Sequence, residues 1–339
     1  MIVRMKFLLF MFLYFCAVNI GFAQDSQLIK NAEKGVAEAQ YLLGETLFKK
    51  GKTHYKEAAY WFQKAAWQDY KAAYMELAYC YENGFGVEKN DSMAFKYFKL
   101  AAPYCYGKVQ CDLAYHYEKG IGTSVNYAEA FYWYNKAALQ GDVLAMNNLA
   151  SFYRFGLGVA KDDKQSFYWQ KKAAEQGNPI CIYNFATYFL FGTGTEKDEK
   201  QAFFYFKKAA ELGNSDAQYQ LAFMFNYGKG TMKDFNKAIY WYKKNINQTD
   251  DSRAKYALAV LLYKQKSDEA FFYLLKAEKS SYMNLKARGE IRRLLSACYR
   301  FGRYGAPRID IKRADEWMAF AAECGDGNAE EIMKWLNSK

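Results

Sequence analysis

The sequence predicts an all-α fold, a solenoid of antiparallel helix pairs, because three separate marks recur on one grid of 36 residues. The first is a glycine pair: Gly84/Gly86, Gly120/Gly122, Gly156/Gly158, Gly192/Gly194 and Gly228/Gly230. The second is a pair of alanines: Ala65-Ala66, Ala101-Ala102, Ala137-Ala138, Ala173-Ala174 and Ala209-Ala210. The third is a short polar residue: Asn90, Asn126, Asp162, Asp198 and Asp234. A unit of 20–50 residues cannot bury its apolar face alone, so copies stack into a one-dimensional core. Only three prolines occur in 339 residues, which suits a nearly all-helical chain.

Residues 142–177 show how one unit works. Ala145, Leu149, Tyr153 and Gly156 fall at helical spacing and define the inner side of a first helix, helix A. Gly156 and Gly158 end it, since glycine supplies the positive φ that such turns need. Asp162 stands where an N-cap belongs. Ser166, Trp169, Ala173 and Ala174 mark the buried side of helix B. Gly177 closes that helix, and Asn178-Pro179 opens the next one with proline at the tolerated first position. The alanines let helices approach closely. Tyr, Trp and Phe fill the remaining space, so the 19% aromatic content needs no ligand to explain it.

Taken in order, residues 1–23 combine Arg4 and Lys6 with an apolar run from Phe7 to Val18 and a small-x-small site at Gly21-Phe22-Ala23. This pattern predicts a cleaved signal peptide, a mature start at Gln24 and a periplasmic or secreted protein. An uncleaved inner-membrane anchor is the alternative; a spanning helix needs about 20 apolar residues, and Asn19 interrupts this run. Residues 24–35 form an N-terminal cap and 36–251 hold six units, the first without the double-glycine loop. In 252–284 the loop shrinks to Lys264–Ser267. Residues 285–325 form a basic, atypical unit with a longer loop around Pro307, and 326–339 a C-terminal capping helix.

The segments LAYCYENGFGVEKNDSMAFKYFKLAA, LAYHYEKGIGTSVNYAEAFYWYNKAALQG and LASFYRFGLGVAKDDKQSFYWQKKAAEQG resemble the Sel-one-like repeat (SLR) family, whose members are related to tetratricopeptide repeats but have longer hairpin loops. The resemblance covers nearly the whole chain after residue 23. It implies a right-handed superhelix, a tetratricopeptide-like hairpin at 252–284, and an adaptor role in signalling, envelope assembly or host interaction. Cysteine-rich secreted members bridge adjoining helices by disulfides, and some are associated with weak β-lactam binding or hydrolysis. An enzyme of that kind is therefore a rival reading.

Catalytic chemistry has little to stand on here. The chain carries two histidines, His54 in a short loop and His116 in a helix A, and no HExxH, zinc-spaced Cys/His cluster or nucleophile elbow. The Gly-x-Gly pairs lack a following Gly-Lys-Ser/Thr, so they read as helix-ending turns and not phosphate cradles. No catalytic residue, metal site or cofactor is expected. Six cysteines follow residue 23. Cys105 and Cys111 flank one B-to-A turn, where a disulfide and two free thiols are both open readings. Cys181 takes a grid alanine position (Ala73, Ala145, Ala217) and reads as a buried thiol.

Solenoids bind along the concave surface lined by helix A. One residue before the core positions Leu77, Leu113, Leu149, Phe185 and Leu221, the grid reads Glu76, Asp112, Asn148, Asn184 and Gln220. Three and four residues further on stand Tyr79, Tyr115 and Phe223, and His116, Phe152 and Tyr188. Together these eleven predict a groove whose polar groups bond a peptide backbone while its rings receive side chains. The competing reading is polar residues facing solvent and rings packed between units. A second candidate is the basic stretch Lys286–Arg313, with Arg288, Arg292, Arg293, Arg300 and Arg303, where nine basic residues face only Glu290 and Asp310. The formal net charge is +11, and a basic end meets an acidic protein or an anionic envelope surface. Export makes nucleic acid an unexpected partner. A protein or peptide partner on the A face is the first expectation.

Overall fold

The computed structural model describes residues 26–105, 107–280 and 283–337. The signal peptide expected at 1–23, with its cleavage site, lies outside the described residues. Two compact units divide the chain, one ending at Trp169 and the other beginning at Gln170. In the first, residues 26–33 form α1, followed by α2 (Ala37–Lys49), a 3-10 turn (Lys52–His54), α3 (Tyr55–Trp67), α4 (Lys71–Asn83), α5 (Asp91–Ala101), α6 (Lys108–Lys119), α7 (Tyr127–Leu139) and α8 (Val143–Phe155). Helix α9 (Asp163–Glu175) contains the division. The second unit continues with α10 (Pro179–Phe191), α11 (Glu199–Glu211), α12 (Ser215–Tyr227), α13 (Phe235–Thr249), α14 (Ser252–Lys264), α15 (Ala270–Glu278), α16 (Leu285–Phe301), α17 (Ile311–Glu323) and α18 (Gly327–Asn337). No described residue is in a strand. Even-numbered helices up to α16 are helix A of a pair. In the first unit α2 packs on α3, α4 on α5 and α6 on α7; in the second α10 packs on α11, α12 on α13, α14 on α15 and α16 on α17.

Each grid mark has a distinct backbone cause. The first glycine of a pair caps helix A in the left-handed region: φ is 70° at Gly84, 68° at Gly120, 69° at Gly156, and 70° at both Gly192 and Gly228. The second glycine lies against the start of the preceding helix B. A Cβ there would fall 2.0 Å from the Tyr55 carbonyl oxygen at Gly86, 2.1 Å from that of Asp91 at Gly122, 2.2 Å from that of Tyr127 at Gly158, and 2.0 Å from that of Glu199 at Gly230. The polar mark caps helix B. Asn90 accepts from the Met93 amide (2.9 Å), Asp162 from Gln165 (2.9 Å) and Asp234 from Lys237 (2.9 Å). The amides of the same three residues close the loop by donating to the carbonyls of Tyr81, Tyr153 and Phe225.

The core follows the predicted pattern. Leu77, Leu113, Leu149 and Leu221 are fully buried, as are Ala65, Ala101, Ala137, Ala173 and Ala209. Glutamine pairs that the sequence reading did not anticipate lie beside them. Gln68 donates to Gln40 (2.8 Å), Gln140 to Gln110 (2.7 Å) and Gln218 to Gln248 (3.0 Å). Gln40 and Gln110 also donate to the carbonyls of Ala32 and Ala102, tying one hairpin to the next. Near the C-terminus the grid breaks but the device persists. Gly305 (φ 87°) stands 1.9 Å, by its would-be Cβ, from the Asp268 carbonyl oxygen, and the Tyr304 carbonyl accepts from the Phe271 amide (2.9 Å). No helix of the described residues is long and apolar enough to cross a membrane.

Candidate functional site

In the first unit a cavity of about 660 Å³ opens along α2, α4 and the start of α6. Its walls are Phe48 from α2, Met75, Glu76, Tyr79 and Asn83 from α4, Phe85 from the glycine loop, and Tyr104, Cys105, Lys108 and Val109 from the turn into α6. The Tyr79 hydroxyl donates to Asp112 Oδ2 (2.6 Å). Lys108 Nζ donates to that same oxygen and to the Tyr79 hydroxyl (2.8 Å each) and sits 4.4 Å from the Tyr79 ring centroid. Burial, then the bond to Asp112, push the Tyr79 phenol far above its ordinary range. Burial, then Glu45, hold the Glu76 carboxyl above the usual carboxylate range, with Lys49 pulling the other way. Glu76 and Tyr79 line this cavity, and Asp112 is joined to it through Tyr79 and Lys108. Tyr115 is exposed, with Lys119 Nζ 5.8 Å from its ring. Asn148 is half-buried and bonds the Tyr134 phenol, which itself donates to Glu118 (2.8 Å).

His116, Phe152 and Tyr188 do not line a groove. They are 0%, 1% and 3% exposed. The reason is helical phase. At 3.6 residues per turn, the residue four beyond a ladder position swings about 40° toward the adjacent core leucine, whereas the third falls back about 60° to the open side. His116 is a core ring. Its Nδ1 faces the Ile121 carbonyl (3.0 Å), its Nε2 faces Glu82 (3.2 Å), and its centroid lies 5.0 Å from that of Phe98. Hydrogen bonding to His116 holds the Glu82 carboxyl below its ordinary range. Phe152 meets Tyr134 edge-on at 5.2 Å. His54 is half-buried and touches Thr53 (3.0 Å).

In the second unit, Asn184, Gln220 and Phe223 are half-buried. Gln220 bonds the Tyr183 phenol, and Phe223 lies 4.5 Å from Tyr227. Gln220 and Phe223 border a smaller cavity of about 220 Å³ with Phe191, Lys197 and Lys229. Tyr256 donates to Glu290. Within both units, then, several acidic or amide side chains of one helix A bond a tyrosine of the helix A before it: Tyr79–Asp112, Tyr183–Gln220 and Tyr256–Glu290. That part of the ladder stitches repeats together. Helix B carries exposed rings of its own. Tyr60, Tyr132, Phe204 and Tyr240 are exposed, and each meets the ring that follows it edge-on.

The basic stretch is not an open cluster. Arg292 pairs with Glu278 (2.9 Å) and donates to the Phe320 carbonyl (3.3 Å). Arg293 pairs with Asp326 (3.2 Å), and Arg300 with Asp315. Arg288 donates to the Ser280 carbonyl (2.7 Å). Counting along the sequence admitted only Glu290 and Asp310 as counter-charges, because Glu278, Asp315 and Asp326 lie outside the stretch and reach it through helix packing. Of the five arginines expected there, Arg303 is exposed, over the Phe301 ring (5.6 Å); Lys286, Arg308 and Lys312 are exposed beside it in sequence.

The six described cysteines are all free thiols, so the bridge considered for Cys105 and Cys111 is not formed. The two side chains have different surroundings. Cys105 lines the 660 Å³ cavity, whereas Cys111 is buried and bonded to Asp142. Burial raises both thiols, Cys111 the more strongly. In folded, unreduced protein a thiol reagent should therefore label Cys105 slowly and Cys111 only on unfolding, and reduction should leave the melting temperature unchanged. A linked peptide joining the two in a non-reducing digest would contradict this.

The fold defines an α-solenoid of helical hairpins with aromatic, carboxylate-bearing cavities on its A helices, one of about 660 Å³ at Glu76 in the first unit and one of about 480 Å³ at Glu290 in the second. No group of three or more His, Cys, Asp or Glu among the described residues could hold a metal ion. The profile of the Sel1 repeat matches residues 37–70, 71–102, 107–142, 143–178, 179–214, 215–250 and 293–326, and the chain belongs to the Sel1 repeat family. Among solved structures it is similar to a protective antigen of uropathogenic Escherichia coli strains displaying an SLR fold (28% identity, TM-score 0.79). That match takes in 90% of this chain, which spans 65% of the antigen's length. A Sel1 repeat protein from Oxalobacter formigenes shares the fold at 24% identity and TM-score 0.66, over 92% of this chain and 89% of that one. No curated protein sequence matches the chain. Sel1 repeat proteins generally mediate protein–protein interaction, and the scaffold is typically non-enzymatic.

Proposed function

We propose that this chain is an exported, non-enzymatic scaffold that binds a protein or peptide on its A-helix face, with the cavity of the first unit as the main contact. The observation that carries this reading is the cavity itself, where Glu76 and the Tyr79–Asp112–Lys108 cluster stand among Phe48, Met75, Phe85 and Val109. A mostly apolar concavity with a few convergent polar groups is what recognition requires. Export rests on the pattern of residues 1–23. The similarity to a protective antigen of uropathogenic strains is in keeping with it. The exposed Arg303 and Arg308 carry the second reading, contact with an acidic partner or an anionic envelope surface; nucleic acid has no part in either.

The test is affinity capture from an envelope fraction followed by mass spectrometry, with the bait's own N-terminus sequenced; Gln24 is the expected first residue, and retention in the cytoplasm refutes export. Tyr104→Ala removes an exposed cavity wall. It should weaken the captured partner about tenfold, or about 1.4 kcal/mol, with little change in salt dependence. Arg303→Ser with Arg308→Ser should matter only at low ionic strength. Normal binding by the cavity variant and failure of the arginine variant would move the site to the C-terminal end.

A further inference from the structure

The cavity of the first unit has a charge pattern that selects its occupant. Glu76 is half-buried in an aromatic and aliphatic wall and, among the described residues, has no ion pair or hydrogen bond. The charges around it leave a negative excess. Lys108 is held by Asp112 and Tyr79, while Lys49 on α2 acts on Glu76 as an opposite charge and Glu45 as a like one. Glu45 further accepts from the Tyr41 hydroxyl. Two carboxylates, Glu76 and Glu45, thus face one Lys49 beside a cavity of about 660 Å³, which leaves one negative charge in excess. Burial and Glu45 hold its carboxyl above the usual range against the pull of Lys49, as expected of an acid whose charge is only partly offset.

The walls suit a cation with a flat face. Two of the rings already carry one: Lys108 over Tyr79 at 4.4 Å and Lys71 over Tyr104 at 4.7 Å. Phe48 and Phe85, edge-to-face at 5.6 Å, carry no cation among the contacts of the described residues, although Tyr55 stacks on Phe48 at 4.6 Å and packs against Phe85 at 5.0 Å. A guanidinium is planar, weakly hydrated and forked. It stacks on an aromatic face and meets a carboxylate with two hydrogen bonds, whereas an ammonium would surrender a tighter hydration shell on entering such walls. The volume also exceeds one side chain, leaving room for apolar neighbours.

We propose that this cavity is the receptor for an arginine side chain of a bound peptide, with Glu76 as its counter-ion and Phe48 and Phe85 as its aromatic walls. This rests on the reading of the A face as the binding surface.

The probe is a carboxyfluorescein-labelled Gly-Leu-Arg-Leu-Gly peptide and its counterpart with citrulline, the uncharged isostere, in place of arginine. Both are titrated by fluorescence anisotropy against the full mature chain and its Glu76→Gln variant, with circular dichroism to confirm folding. The arginine peptide should bind the unaltered protein about tenfold more tightly than the citrulline peptide. Glu76→Gln should bring the two within about twofold, chiefly by weakening the arginine peptide. Equal binding of both peptides to the unaltered protein, absence of binding by either, or a preference that survives Glu76→Gln overturns the proposal. Each of these leaves the A-face reading standing if Tyr104→Ala still weakens the captured partner. Should Tyr104→Ala have no effect on that partner, the A-face reading itself falls.

Discussion

Gly158→Ala is expected to lower stability by about 3–5 kcal/mol. Two penalties act together. Gly158 has a φ of 65°, where an L-residue costs about 1–2 kcal/mol. Its new Cβ would also stand 2.2 Å from the Tyr127 carbonyl oxygen and 2.7 Å from the Ala128 amide nitrogen. Backbone cannot step aside as a flexible side chain can, so the loop would lift from the start of α7 and lose the cap that Asp162 places behind it. Gly177→Ala is the control. Its φ is 82° and nothing lies within 4 Å of the added methyl, so only the conformational penalty of about 1–2 kcal/mol applies. Urea unfolding of both variants by circular dichroism measures the difference. Equal shifts in midpoint would show that close approach contributes nothing, leaving positive φ as the whole reason for the second glycine.

That contrast explains why the fold was legible. A left-handed cap, a close backbone approach and an N-cap each restrict one position to one or two residue types, so each prints a letter on the grid. Gly305 shows the limit: it performs the task of Gly158, but the loop before it has a different length, and no fixed period leads to it. The site was legible only in part. Glu76, Tyr79 and Asp112 share one side of the A helices because helix A has a constant phase. His116, Phe152 and Tyr188 were placed on the wrong side because spacing alone does not say where helix B lies. The counter-charges of Arg292 and Arg293 went unseen for a related reason. Glu278 and Asp326 are neighbours through packing and distant in sequence. The cavity has a faint sequence signal at Pro103-Tyr104-Cys105, where the glycine expected on the grid is replaced and the turn into α6 changes. Nothing in spacing shows that Phe48 and Phe85 would face that turn.

Phe152→Ala separates the two roles that a ring on helix A can have. Phe152 is 1% exposed and packs edge-on against Tyr134 at 5.2 Å and Tyr127 at 6.1 Å. Truncation removes those contacts and leaves a cavity that the neighbouring backbone, fixed by the glycine loop and the α7 cap, has little freedom to fill. The expected loss is about 3–5 kcal/mol of stability. Binding by the fraction that remains folded should be unchanged, because the ring presents no surface to a partner. Tyr115→Ala is the counterpart on the open side of α6. At 45% exposure it should change stability by less than about 0.5 kcal/mol, and any effect should appear in partner affinity instead. The pair of measurements, unfolding midpoint and affinity for the captured partner, puts each ring in one role. A Phe152→Ala protein that melts normally but loses its partner would mean that this ring turns outward in solution, and that the groove extends along α8 as its spacing on the grid suggests.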